Sequence, residues 1–171
     1  MMLSEELYPQ RVFYYFEQIA AIPHGSRNTK AISDFLVNFA KEHNLVWYQD
    51  ENNNVVIVKE ASAGYEAAEP IIIQGHMDMV CEKEKGVDID FEKDGLKLYI
   101  DGDFLKAEGT TLGGDDGIAV AYALALLDSQ EIAHPKLEVV ITVDEEIGML
   151  GADAIDLSML TGHTMLNIDS D

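Results

Sequence analysis

Val139-Val140-Ile141-Thr142-Val143-Asp144-Glu145-Glu146 is the stretch on which the reading of this chain turns. Residues 137–143 form a nearly continuous apolar run, the pattern of a strand buried on both faces, as in parallel sheets. The run breaks into three consecutive acids. Ile71-Ile72-Ile73-Gln74-Gly75-His76-Met77-Asp78 follows the same plan. So does Met165-Leu166-Asn167-Ile168-Asp169, whose apolar residues read as another buried strand. A fourth segment, Gly113-Gly114-Asp115-Asp116-Gly117, leads into residues 116–127, which are apolar nearly all round and predict a buried helix.

Outward from these runs, residues 4–22 read as one helix, with Ser4 as N-cap, Glu5 and Glu6 behind it and Pro23 as its stop. A second helix is predicted up to about residue 43, capped by Ser26, with Ile32, Phe35, Leu36 and Phe39 at helical spacing. Residues 45–49 and 55–59 are short β-prone runs separated by the turn Asp50-Glu51-Asn52-Asn53-Asn54. Asp101-Gly102-Asp103 between Leu98-Tyr99-Ile100 and Phe104-Leu105-Lys106 signals a hairpin. Residues 61–69 and 81–97 read as loops. Helices alternating with buried strands predict an α/β fold with a largely parallel central sheet.

Charge removes several function classes. Against 11 basic residues stand 32 acidic ones, a net charge of -21. Such a surface repels phosphate backbones and anionic membranes, so neither nucleic acid nor a membrane is an expected partner. No apolar run approaches the roughly 18 residues of a membrane span. The first residues lack the basic and apolar regions of a secretory signal. Cys81 is the single cysteine, which rules out an internal disulfide, fits a cytoplasmic protein, and reads as inert packing. The last residues, Asp169-Ser170-Asp171, come directly after a strand, where domains rarely stop, so the expectation is a piece of a longer protein.

In open α/β sheets ligands bind beyond the carboxyl ends of the strands. If the three strands are parallel, His76, Asp78, Glu145, Glu146 and Asp169 share one edge, with Asp115 and Asp116 at the start of the helix behind it. Two like charges about 4 Å apart repel by about 1 kcal/mol in water and about 4 kcal/mol at an intermediate dielectric. Gathered carboxylates therefore protonate, separate or bind cations. A histidine among them favours zinc or a similar transition metal, because calcium and magnesium prefer all-oxygen shells. The number of candidates leaves room for a second metal.

These motifs resemble those of the M20 family of metallopeptidases. Gly75-His76-Met77-Asp78-Met79-Val80, Thr110-Thr111-Leu112-Gly113-Gly114-Asp115-Asp116-Gly117, Thr142-Val143-Asp144-Glu145-Glu146-Ile147-Gly148 and Asn167-Ile168-Asp169-Ser170 look like its four site motifs in order. The run from Met77 to Lys83 resembles the cytosolic aminoacyl-histidine dipeptidases within it. The resemblance implies a three-layer α/β/α, zinc-exopeptidase-like catalytic domain, of which residues 1–171 would be the N-terminal part. It implies two zinc ions, with cobalt or manganese as substitutes. His76, Asp115, Glu146 and Asp169 would be ligands, with Asp115 bridging and followed by a cis peptide. Asp78 would orient the His76 ring, and Glu145 would be the general base for an attacking water. Small peptides, Xaa-His dipeptides first, would be the substrates. A tripeptidase or an N-acyl amino-acid amidohydrolase is the neighbouring alternative.

The departures have consequences too. The family's distant C-terminal histidine ligand and its lid domain, which often mediates homodimerisation, have no counterpart here. His24, His43, His134 and His163 match no ligand motif. His43 is expected on a helix surface and His163 at the start of the last strand. An alternative of another class is a non-catalytic acidic metal-binding module, with a calcium loop from Asp88. That loop fails on spacing, since Lys93 stands where it needs Gly and Tyr99 where it needs Glu.

Overall fold

The computed structural model describes residues 3–169, so Ser170 of the fourth motif lies outside the described residues. Its strands are β1 (Val46–Gln49), β2 (Val55–Lys59), β3 (Ile71–His76), β4 (Leu98–Asp101), β5 (Phe104–Ala107), β6 (Leu137–Thr142) and β7 (Thr164–Asn167). Its α-helices are α1 (Gln10–Ala20), α2 (Lys30–Glu42), α3 (Gly114–Asp128) and α4 (Leu150–Ala154). The central sheet has the order β1-β2-β6-β3-β7, and β4-β5 is the separate hairpin that Asp101-Gly102-Asp103 predicted. β3 runs parallel to both β6 and β7, while β2 is antiparallel to β6 and to β1. The chain thus adopts the expected α/β fold, with a mixed sheet whose three motif-bearing strands are parallel.

Burial follows the sequence pattern. Every residue of β6 is buried, as its apolar run requires. α1 buries Val12, Tyr15, Phe16 and Ile19, a helical stripe, against α3. α3 is apolar all round and supplies Val120, Ala121, Leu124 and Leu127 to the core it shares with α1, α2 and one face of the sheet. Each fully buried Val or Leu side chain among them stabilises the fold by about 1.5–3 kcal/mol. Val56, Val58 and Val140 on the opposite face pack with Ile72, Ile155, Met159 and Leu160.

Several local expectations are corrected. Residues 4–22 are not one helix. A 3-10 turn at Leu3–Glu5 precedes a cis Tyr8–Pro9 bond, and α1 starts only after Pro9. Proline lacks an N–H and suits the helix entrance, which explains the placement. Ser4 does not cap α1; its N–H and that of Leu3 donate to the Glu17 carboxylate. Ser26 does not cap α2, which begins at Lys30, and the Ser26 hydroxyl is used elsewhere. Among the described residues β7 is paired on one side only, and it is exposed along its length, not buried. An apolar run alone does not reveal whether a strand has neighbours. His43 is half-buried at the end of α2, between the Phe39 carbonyl and the Asp128 carboxylate, so it is no plain surface residue.

Candidate metal centre

Parallel register sets the site. Gly75 lies opposite Ile141, His76 opposite Thr142, and Gln74 opposite Asn167, so the carboxyl ends of β3, β6 and β7 are level. The Met77 N–H donates to the Thr142 carbonyl at 2.9 Å and carries the β3–β6 pairing one step past the strand. Gly75 is required by what stands behind it. A Cβ there would lie 2.6 Å from Asp116 Oδ2 and 3.2 Å from Ala119 Cβ. Without one, the start of α3 comes close enough for the His76 N–H to donate to Asp116 Oδ2 at 3.1 Å. Gly113, in the left-handed region at φ 66°, turns the chain into α3, and the Asp115–Asp116 peptide is cis.

His76 is buried, and its Nε2 lies 3.1 Å from Asp115 Oδ1 and 3.8 Å from Glu145 Oε2. Donor atoms of His76, Asp115 and Glu146 fall within 4.8 Å of one another, and so do those of His76, Asp116 and Asp169. The four sequence-predicted ligands are therefore gathered into two groups that share His76. Asp116, which the sequence placed with Asp115 at the start of the helix behind this edge but without a ligand role, joins the second group.

Asp78 is completely enclosed and holds more than the imidazole. The nearer acceptor of His76 Nδ1 is the Asp78 main-chain carbonyl at 2.9 Å, with Asp78 Oδ1 at 3.4 Å. Oδ1 also accepts the Glu145 N–H at 3.1 Å, and Oδ2 accepts the Ser26 hydroxyl at 2.8 Å. Burial raises the Asp78 carboxyl, but His76, Ser26 and the Glu145 amide together draw it below its ordinary value. Burial likewise works against an imidazolium at His76, and the Asp78 and Asp116 charges outweigh it, lifting that group to about 9.

Behind the third motif, Asn54 is fully buried and does the positioning. Its Oδ1 accepts the Val143 N–H at 3.0 Å and its Nδ2 donates to the Gly151 carbonyl at 3.1 Å and to Asp50 at 2.8 Å. The loop carrying Glu145 and Glu146 is thereby tied to the end of β2.

The donor set fits a borderline transition metal. The two groups share the one free nitrogen of His76, Nε2, since Nδ1 faces the Asp78 carbonyl, and each adds two carboxylate oxygens, a mixture suited to zinc. Among the described residues no Lys or Arg forms an ion pair with Asp115, Asp116, Glu145, Glu146 or Asp169. The crowding is visible in the acids themselves: burial, then Asp115, raises Glu146, and burial lifts Asp116 to about 6 despite its bond from His76. By contrast, the segment with a calcium-loop look is already satisfied, since Lys93 Nζ sits 2.6 Å from Asp90 and Asp94 accepts the Asp90 N–H.

Residues 72–166 match a protein family described as Peptidase family M20/M25/M40. The cytosol non-specific dipeptidase of Escherichia coli is 40% identical over 166 residues, 97% of this chain and 34% of that protein. The crystal structure of aminoacylhistidine dipeptidase from Vibrio alginolyticus superposes with a TM-score of 0.94 at 40% identity, covering 98% of this chain and 34% of that one. A Staphylococcus aureus tripeptidase shares the fold at 24% identity, with a TM-score of 0.77 over 94% of this chain and 43% of its own. The chain spans about a third of the length of the two dipeptidases. No described helix is long and apolar enough to cross a membrane.

Proposed function

The chain belongs to peptidase family M20/M25/M40, and from that premise we propose that it is the N-terminal part of the catalytic domain of a dinuclear zinc dipeptidase acting on Xaa-His and similar dipeptides. The observation that carries the reading is the convergence of two donor groups on His76. In it, His76, Asp115, Glu146 and Asp169 are metal ligands and Asp78 fixes the His76 ring. Bound zinc supplies Lewis acidity and makes water a nucleophile near neutral pH.

Glu145 is the general base. Its carboxylate lies at the mouth of the cluster, partly exposed, 3.8 Å from His76 Nε2. It takes the proton of the attacking water and returns it to the leaving amine. Its main chain is held by Asp78, so the base and the imidazole share one support. The names of the two relatives at 40% identity favour dipeptides as substrates, and the word cytosol in one of them favours a cytoplasmic location. A lid, a further histidine ligand and a homodimer interface belong to the rest of a full-length protein, and the 171-residue chain alone has little or no turnover.

Zinc titration of the metal-free chain by calorimetry tests the ligand set. Uptake is expected in the wild type and is strongly weakened in Asp115→Ala and Glu146→Ala. Uptake unaffected by both substitutions would refute it. Carnosine, N-acyl amino acids and tripeptides offered to a full-length version separate the substrate classes. Cleavage of the acylated compounds alone would remove the dipeptidase assignment, and full-length rates from the 171-residue chain would remove the incomplete site.

A further inference from the structure

We infer that Ser26, on the loop between α1 and α2, is a positioning residue for this centre: its hydroxyl fixes the Asp78 carboxylate that in turn holds both His76 and the main chain of Glu145. The inference rests on the metallopeptidase reading above and assigns a role to a segment that none of the four motifs contains.

The geometry is a relay through one enclosed carboxylate. Asp78 Oδ1 serves the Glu145 N–H at 3.1 Å and faces His76 Nδ1 at 3.4 Å, while Oδ2 takes the Ser26 hydroxyl at 2.8 Å. The Asp78 side chain has no exposed surface, so no solvent replaces a lost partner. A buried carboxylate oxygen left without its donor costs more than the bond was worth, and the group turns to find another. Any rotation that satisfies Oδ2 moves Oδ1 away from Glu145.

The loop that carries Ser26 is anchored independently of the hydroxyl. The Met79 N–H donates to the His24 carbonyl at 3.2 Å, and Gly25 bridges Met79 in parallel. The Arg27 N–H donates to Asp144 Oδ1 at 2.6 Å, which ties the same loop to the third motif. Gly25 packs so closely on Cys81 that a Cβ would stand 2.6 Å from its Sγ. Residues 24–28 therefore brace the β3 and β6 loops from outside, and removing one oxygen leaves that brace in place. Ser26→Ala is a clean deletion of the contact to Asp78.

Two measurements on the 171-residue chain test the role. The first is amide hydrogen exchange of the metal-free protein. Ser26→Ala is expected to speed exchange at Glu145 by about tenfold, the loss of one hydrogen bond to a charged acceptor, while Met79 is unchanged. The second is Co2+ affinity by competition with a chromophoric chelator, together with the visible spectrum of the bound ion. Affinity is expected to fall by about tenfold, the lower end for losing an outer partner of a metal site, and Ser26→Thr is expected to restore both readouts. Unchanged Glu145 exchange overturns the inference. Equal acceleration at Glu145 and Met79 also overturns it, because the hydroxyl would then be holding the loop rather than the carboxylate. If the wild type takes up no Co2+, the metal reading falls and takes Ser26's role in the site with it, whatever the exchange data give; Co2+ uptake with unchanged exchange removes Ser26 alone.

Discussion

Glu138 is a charged residue near the start of the buried strand β6, and its neutralisation has a calculable consequence. Its side chain has no exposed surface. Lys136 Nζ lies 2.8 Å from Oε1, the Thr161 hydroxyl donates to Oε1 at 2.6 Å, and the Thr161 and Gly162 amides donate to Oε2 at 2.9 and 3.0 Å. These contacts hold the turn from which β7 departs toward Asp169. Burial alone would raise the Glu138 carboxyl, but Lys136, Thr161 and Gly162 overcome it and bring the group from its ordinary 4.5 to about 2.

A depressed folded-state value means that the unfolded chain binds the proton more readily. The contribution is complete above about 4.5 and is lost as pH falls toward about 2. The gap corresponds to about 3 kcal/mol. Glu138→Gln keeps the shape, offers one acceptor, and turns N–H groups toward donors, so the same figure of about 3 kcal/mol is expected for its destabilisation near neutral pH. That is a large share of the roughly 5–15 kcal/mol of a small domain, yet leaves it folded. Urea unfolding of the metal-free wild type and variant, at steps from pH 7 to pH 3, measures the difference. It should be near 3 kcal/mol at pH 7 and shrink below pH 4.5. A difference under about 0.5 kcal/mol at pH 7, or one that stays constant to pH 3, would refute the assignment to Glu138 of a buried charge held by these donors.

Three other sites in the molecule have equally definite outcomes. Asn54→Ala strips partners from the buried Val143 N–H and Gly151 carbonyl, at about 1–3 kcal/mol each, so urea unfolding should show a loss of about 2–6 kcal/mol; a loss below about 1 kcal/mol would mean these groups find other partners. Gly75→Ala places a methyl 2.6 Å from Asp116 Oδ2, so zinc affinity measured by calorimetry should fall even though no candidate ligand is changed, and wild-type affinity in that variant would contradict the close approach of α3. β7 exposes Met165 at 58% and Leu166 at 52% along an edge with no partner among the described residues, the arrangement that templates strand pairing between molecules. Concentration-dependent self-association by sedimentation is therefore expected, and Leu166→Lys should reduce it; equal association of the two proteins would point to another surface.

The fold was legible where one physical signal dominates a segment. β6 is apolar throughout because both its faces are covered, and no helical reading competes over six residues. α3 is legible for the same reason at helical length. Pro9 was the missed signal in the first helix: a proline inside a helical pattern marks an entrance or a break, and here it marks the entrance. The exposure of β7 was not legible, since apolar content reports the face a strand would bury and not whether a neighbour is present to bury it. Ser26, Asn54 and Glu138 were invisible as supports because each acts across distance in the chain. Ser26 meets Asp78 52 residues on, and Asn54 meets Val143 89 residues on.

The arrangement of the candidate ligands has a single topological cause. β3 stands between β6 and β7, parallel to both, so the residue that ends β3 has acids on either side. His76 holds that middle place, which is why both donor groups include it. Glu146 comes from the β6 side and Asp169 from the β7 side, while Asp115 and Asp116 descend from α3 above Gly75. The same order concentrates the charge. Asp78, Asp115, Asp116, Glu145, Glu146 and Asp169 gather around one imidazole, and the structure meets that repulsion with main-chain amides, the Ser26 hydroxyl and the His76 ring rather than with lysine or arginine. A stability role alone would favour pairing such acids with the chain's own cations, as Glu138 is paired with Lys136. Their lack of such partners among the described residues is the physical reason to read this edge as one suited to cations from solution.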